Sequence, residues 1–400
     1  MQKVGLWLAC IVALSATITR AQQIDVSFED HFVQVAQIMG RALDDSVFSG
    51  AAISIGTLEE GVMYEATFGH TEFGAQGEPV SFSHRFDMAS VTKVTVTTTA
   101  MMQLVDAGKV DLQMPVVTYL PEFAASGKSE VTVYQLLTHT SGFIPFRPFH
   151  TMGVRNADSL WAAILSESPV YPPGTDMRYS DFGFITLGKL IERVSGMTLD
   201  AYARQYIFEP AGMRHASFSI SGEPLDRVVA TEEDTLYRMK MVRGQVHDET
   251  AFTLGGTAGH AGLFASIEDM AAFARMLLRE GVSDQGGRVV SADRIRSWRQ
   301  RVNPGVHSRA IGWDTRSLTG YTSAGDCMSV EAFGHTGFTG TSIWVDPLNR
   351  WYVVLLTNRV HPTRANRKIS PLRPEIGNAA VRAIQARRGD PMCVPQDSQR

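Results

Sequence analysis

The chain has 400 residues, 44% of them hydrophobic and 20% charged, with a formal net charge of −4. That is ordinary globular composition with apolar material for a large core, and the length suits two or three domains or one large enzyme domain carrying an inserted lobe. The weak negative balance and the absence of any Lys/Arg-dense stripe exclude a nucleic-acid partner.

Residues 1–21 read as a targeting segment. Lys3 gives a positive start, 4–18 form an apolar stretch, and Thr19-Arg20-Ala21 offers the small residues that cleavage favours. The apolar stretch falls short of the ~20 residues that a spanning helix needs. The expectation is therefore a cleaved signal peptide, a mature chain of 22–400 without a membrane span, and a secreted or periplasmic location. Cys10 leaves with the signal. Cys327 and Cys393 remain as a possible single disulfide, too few for a disulfide framework and without the Cys/His spacing of a zinc site. No metal or cofactor is expected.

Along the mature chain, Ser27-Phe28-Glu29-Asp30 reads as a capping box opening a helix with an apolar face of Phe32, Val35, Ile38, Met39 and Ala42. Strand-like runs follow at 50–56 and 62–68, with the turn-like Glu59-Glu60-Gly61 between them. The middle is mostly helical. A helix is expected over 182–194 with Gly196 as its stop, and another over 267–280, opened by Ser266 with Asp269 and ended by Gly281. Strands are expected at 341–345 and 351–357, joined by Asp346-Pro347-Leu348-Asn349, and a last amphipathic helix at about 373–387. Strands at both ends with helices between suggest one sheet assembled from the two termini, roughly 24–89 and 305–390, with a helical lobe inserted over 90–304.

Three motifs carry chemistry. Ser90-Val91-Thr92-Lys93 is the only S-x-x-K in the chain. On a helix, positions i and i+3 share a face, so Lys93 can reach the Ser90 hydroxyl, a poor nucleophile until a neighbour takes its proton. Local propensity objects, because 91–99 is rich in β-branched residues and reads equally as a buried strand. Tyr179-Ser180-Asp181 follows the turn Pro172-Pro173-Gly174-Thr175, which delivers Tyr179 to the mouth of the next helix. A tyrosine beside a lysine ammonium can serve as a general base, although a half-buried tyrosine with Asp181 as a plain cap fits the same residues. Gly334-His335-Thr336-Gly337, then Phe338, stands at the entry of the first C-terminal strand. Its glycines let a strand edge approach a ligand, and the N–H after Gly337 can face a developing oxyanion.

Order and spacing of these motifs resemble the penicillin-recognising serine hydrolases, within them the branch of class C β-lactamases, D-alanyl-D-alanine carboxypeptidases and related esterases. The resemblance spans nearly all of the mature chain. Besides the three motifs it includes Leu136-Leu137-Thr138-His139-Thr140-Ser141-Gly142 and Gly259-His260-Ala261-Gly262-Leu263-Phe264. It implies an α+β fold of the β-lactamase/transpeptidase type, an antiparallel sheet flanked by helices beside an all-helical lobe, with the site at their junction. It further implies Ser90 as nucleophile at the start of a buried helix, Lys93 and Tyr179 sharing the base role, and the N–H groups of Ser90 and Phe338 as oxyanion hole. Asp181, His335, Thr336 and Gly337 would bind substrate, with His335 orienting a substrate carboxylate where many members carry lysine. Asp181 stands where β-lactamases of this branch have asparagine. Both departures point to an esterase or peptidase acting on a small-molecule or peptidoglycan-derived substrate in preference to efficient β-lactam hydrolysis.

Other hydrolase classes fit less well, since neither G-x-S-x-G nor H-E-x-x-H occurs. Ser126-Gly127-Lys128-Ser129 lacks the glycine that a phosphate loop needs, and 255–262 is glycine-rich without dinucleotide spacing, which suits a loop against the site. The rival from another class is a non-catalytic cell-wall-binding module that keeps the fold.

Overall fold

The computed structural model describes residues 30–395, apart from 219, 221–223 and 304–306. The expected signal peptide, and Ser27, Phe28 and Glu29 of the expected capping box, lie outside the described residues. Strands in chain order are β1 (Gly50–Thr57), β2 (Gly61–Gly69), β3 (Phe86–Asp87), β4 (Glu232–Asp234), β5 (Lys240–Val242), β6 (Phe264–Ala265), β7 (Asp314–Thr315), β8 (Phe333–Thr336), β9 (Ser342–Asp346) and β10 (Trp351–Thr357). Six form one antiparallel sheet in the order β2-β1-β10-β9-β8-β7. The N-terminal hairpin thus docks on the last strand, with Ala51 opposite Thr357 and Thr57 opposite Trp351. This is the sheet of merged termini that the chain order suggests, and the α+β architecture is as expected.

Both faces of the sheet are covered, which explains why β1 and β10 are buried throughout and mostly apolar, without regular alternation of polar residues. Ala51, Ile53, Ile55, Val353 and Leu355 face the terminal helices Val33–Asp44 and Ile369–Arg388. Ala52, Tyr352, Val354 and Leu356 join a second core that continues through the helix Ile267–Leu278 into the lobe. That helix carries the expected Ser266/Asp269 capping box and packs on β1, β9 and β10, so part of 90–304 serves the sheet as well as the lobe. The helix Asp181–Ser195 ends on Gly196 at φ 71, as its stop signal implies.

Two elements differ from their sequence pattern. The last helix begins at Ile369, before the expected 373; Pro371 falls in its first turn, where the missing N–H costs little, while Pro374 lies inside the helix and forgoes one intrahelical hydrogen bond. The β-branched run after Ser90 is helical, with a π-helical stretch over Lys93–Thr98. Tertiary partners override propensity there. Thr92 Oγ1 accepts from the Leu263 N–H at 3.2 Å, and Thr97 Oγ1 donates to the Gly259 carbonyl at 2.6 Å. The wider π turn accommodates the crowded side chains, and such turns concentrate at functional sites. Among the described residues no helix is long and apolar enough to cross a membrane.

Candidate active site

Ser90 stands directly after a strained turn. Ala89 has φ +45, a left-handed conformation that costs an L-residue about 1–2 kcal/mol. Asp87 holds it there: one carboxylate oxygen accepts from the Ala89 N–H at 2.8 Å and the other from the His247 N–H at 2.6 Å. Burial pushes the Asp87 carboxyl up, and these hydrogen bonds partly offset the shift. The buried His247 is itself tied to Glu232, which Arg364 also grips. Backbone strain of this kind, stabilised by a surrounding network, presents the next side chain at a fixed angle.

Lys93 follows one turn later and is fully buried. Its Nζ donates to Ser90 Oγ at 3.0 Å and to the His260 carbonyl at 3.2 Å, and lies 2.7 Å from Asp181 Oδ1. Burial works against the ammonium, but the Asp181 carboxylate, with Tyr179, more than offsets it, and the net shift of the Lys93 pKa is upward. Lys93 is therefore a cation at neutral pH. Asp181 does not cap its helix; Ser180 occupies that position, with its hydroxyl donating to the Ile144 carbonyl.

Tyr179 meets these groups from the loop ahead of the same helix. Lys93 Nζ lies 4.8 Å from its ring centroid and the Arg309 guanidinium 5.2 Å, while its buried hydroxyl has no hydrogen-bond partner among the described residues. His139, at φ +58, packs its ring on Tyr179 at 4.5 Å and accepts from the Ser180 N–H at 3.1 Å, which fixes the Tyr179-Ser180 backbone. Burial, then Arg309 and Lys93, keeps His139 well below the usual histidine range, so it serves as a neutral acceptor.

The His335-Thr336-Gly337 edge closes the other side. A Cβ on Gly337 would collide with Thr341 and meet the Met88 carbonyl at 2.6 Å, so glycine is what permits the approach to the turn before Ser90. Thr339 and Thr341 clamp that approach by donating to the Asp87 and Met88 carbonyls. The Arg373 guanidinium donates to the Gly337 carbonyl at 2.7 Å. In a planar peptide the N–H points opposite to the C=O, so Arg373 also orients the Phe338 N–H. Neither the Ser90 nor the Phe338 N–H is engaged by another of the described residues.

His335 lines the cavity. Burial, then Arg309 and Lys93, pushes its pKa well below the ordinary histidine value, its Nδ1 bonds the Thr336 carbonyl, and its Nε2 faces Arg309 Nη1 at 3.5 Å. The cation beside the strand edge is Arg309, which the sequence reading missed because Ser308-Arg309-Ala310 belongs to no motif. Ser90, Tyr179 and Phe338 line two cavities, one of about 360 Å³ with Arg309, His335 and Thr336, the other of about 300 Å³ with Phe146, Asp181, Phe182 and Ile185. The glycine-rich 255–262 segment lies against the site as expected: Gly259 touches Gly188 and the Phe184 carbonyl, which carries the neighbouring His260 carbonyl to Lys93.

The model of the Beta-lactamase family matches residues 35–377. Proteins of Salmonella enteritidis and Salmonella typhimurium named "Putative D-alanyl-D-alanine carboxypeptidase" are 31% identical over 312 residues, 72% of this chain and 72% of theirs. Among solved structures, a penicillin-binding protein homologue from Caulobacter crescentus is 22% identical with a TM-score of 0.70, over 88% of this chain and 98% of its own. Simvastatin synthase from Aspergillus terreus is 19% identical with a TM-score of 0.71, over 90% of this chain and 100% of its own. At these identities the two structures establish a shared fold.

Proposed function

This chain belongs to the β-lactamase family, and we propose that it hydrolyses esters or D-amino peptides through an acyl-enzyme on Ser90, more readily than it hydrolyses β-lactams. The observation that carries this reading is Lys93 Nζ, held between Ser90 Oγ at 3.0 Å and Asp181 Oδ1 at 2.7 Å. A protonated lysine that donates to the serine hydroxyl is not free to take its proton. Tyr179 is then the base. Acting as the phenolate, it accepts the Ser90 proton as Oγ attacks the substrate carbonyl and returns that proton to the leaving group. The N–H groups of Ser90 and Phe338 receive the oxyanion, and water, activated in the same way, releases the acyl group.

Asp181, in the place of an asparagine, presents a carboxylate acceptor to the second cavity and cannot donate to an acyl amide as asparagine would. That disfavours β-lactams with anionic or amide-rich side chains. Thr336 and Gly337 form the substrate-facing edge beside neutral His335, and Arg309 supplies the positive charge for a substrate carboxylate. Export is supported by the disulfide between Cys327 and Cys393 and by the carboxypeptidase names of the relatives, which suit a secreted or periplasmic protein meeting peptidoglycan-derived substrates. The test is a hydrolysis screen against short-chain nitrophenyl esters, D-alanyl peptides and a chromogenic cephalosporin. Turnover of an ester or a D-alanyl peptide above that of the cephalosporin supports the proposal, and dominant cephalosporin turnover contradicts it.

A further inference from the structure

Beyond Arg309, the larger cavity is walled by three more guanidinium groups, those of Arg359, Arg367 and Arg373. Asp314 is the sole acid lining it among the described residues, and it faces Arg309 at 4.0 Å while accepting from Ser308. Arg359, Arg367 and Arg373 have no carboxylate within ion-pair distance among the described residues. The hydrogen bonds of Arg359 and Arg373 go only to carbonyls, Arg359 also lies 4.3 Å from the Phe338 ring centroid, and the Arg373 Nε is buried without a partner among the described residues. The Arg367 guanidinium is exposed and makes no hydrogen bond among the described residues; it lies 6.0 Å from the Phe338 ring centroid. Burial, aided for Arg359 by Arg367 and Arg373, lowers Arg359 and Arg373 to about 10, which leaves both charged at neutral pH.

The same wall contains Ile369 and Ser370, the first turn of a 20-residue helix. Acids are absent from that first turn, Lys368 precedes it and Arg373 follows. Cations at a helix N-terminus oppose the macrodipole, and unpaired arginines packed together repel one another. The fold tolerates both costs at one place, a step from Ser90. An anion bound there relieves both at once, and a single carboxylate on Arg309 leaves three guanidinium groups uncompensated.

We propose that this cavity is a polyanion subsite, so that the substrate arm lying over Thr336 and Gly337, the leaving group, carries at least two negative charges. Resting on the proposed acyl transfer from Ser90, this assigns the leaving group: the ester C–O bond breaks, the acyl carbon bonds Ser90 Oγ, and the departing oxygen takes the serine proton by way of Tyr179.

Two measurements keep the subsite and the hydrolase reading separable. The first is calorimetric binding of meta-hydroxybenzoate and of hydroxyisophthalate to the Ser90→Ala protein, which needs no turnover. The dicarboxylate should bind about tenfold more tightly than the monocarboxylate, the gap should shrink with added salt, and Arg367→Gln should remove most of it. Equal affinity for the two anions, or a gap untouched by Arg367→Gln, overturns the subsite. The exposed Arg367 side chain makes no hydrogen bond among the described residues, so this variant tests charge with little threat to the fold. The second is hydrolysis of the acetyl esters of phenol and of the same two anions by the unmodified protein. kcat/KM should rise from phenyl acetate to the dicarboxylate ester, and a flat series overturns the leaving-group assignment. Failure to hydrolyse any of the three, with the dicarboxylate still preferred in binding, would count against the hydrolase reading and for the subsite.

Discussion

At the residue scale the site is an arrangement of charges around one hydroxyl. Lys93 is buried, which alone would strip its proton, and Asp181 reverses that outcome. Because its pKa lies above the ordinary value, the ammonium persists as pH rises and is lost only as pH passes through that raised value. Asp181→Asn leaves burial unopposed by a carboxylate, so the alkaline limb of kcat/KM should move down by about 1–3 pH units. A pH profile for a neutral ester checks this, and an unmoved limb would show that Asp181 does not set the charge. His335 behaves in the opposite way. Its depressed pKa keeps it neutral through the usual histidine range, so the loss of anionic-substrate activity through neutral pH expected of a charged anchor should be absent. Arg309→Gln should instead lower kcat/KM for an anionic ester, relative to a neutral one, by about tenfold or more. Equal losses for both esters would remove Arg309 from the anchoring role.

At the scale of elements, the site depends on two close backbone approaches. In one, Gly337 meets the turn before Ser90; in the other, Gly259 meets the helix Asp181–Ser195, where a Cβ would collide with the Phe184 carbonyl oxygen and lie 2.9 Å from the Gly188 nitrogen. Gly259→Ala should destabilise the protein by about 1–3 kcal/mol, read as a lower urea midpoint, and should reduce activity as the His260 carbonyl leaves Lys93. An unchanged midpoint would show that the loop yields freely. The sequence reading placed the hairpin, the capped helix after Ser266 and the two C-terminal strands to within a residue or two, because each carries its own start and stop signals. It could not derive from local pattern the helix after Ser90. What makes Val91 and the following threonines helical is the loop 259–263, which arrives from more than a hundred and fifty residues away. Ala89, the strained residue that aims Ser90, is an alanine in an unremarkable stretch and carries no signal of its φ.

Over the whole molecule, the termini build the sheet and the middle of the chain builds the lobe, so Ser90, Tyr179 and His335, far apart in sequence, converge where the two meet. Their order and spacing were legible as a set. The arginines were not: Arg359, Arg367 and Arg373 fall within fifteen residues that carry no motif, and only the fold brings them to Arg309 and Ser90. The C-terminal tail is held by the disulfide from Cys393 to Cys327, which closes a loop of 66 residues. Reduction should cost about 2–4 kcal/mol, seen as a lower thermal midpoint with reductant than without. Two freely alkylated thiols in protein purified from an oxidising compartment would contradict the bond. The central claim is that Ser90 carries the acyl group. Intact-mass spectrometry after incubation with a fluorophosphonate probe tests it most directly. A single adduct on the unmodified protein is predicted, mapping to Ser90, with none on Ser90→Ala and a kcat lowered by ~10³-fold or more in that variant. A normal adduct on Ser90→Ala would contradict the account.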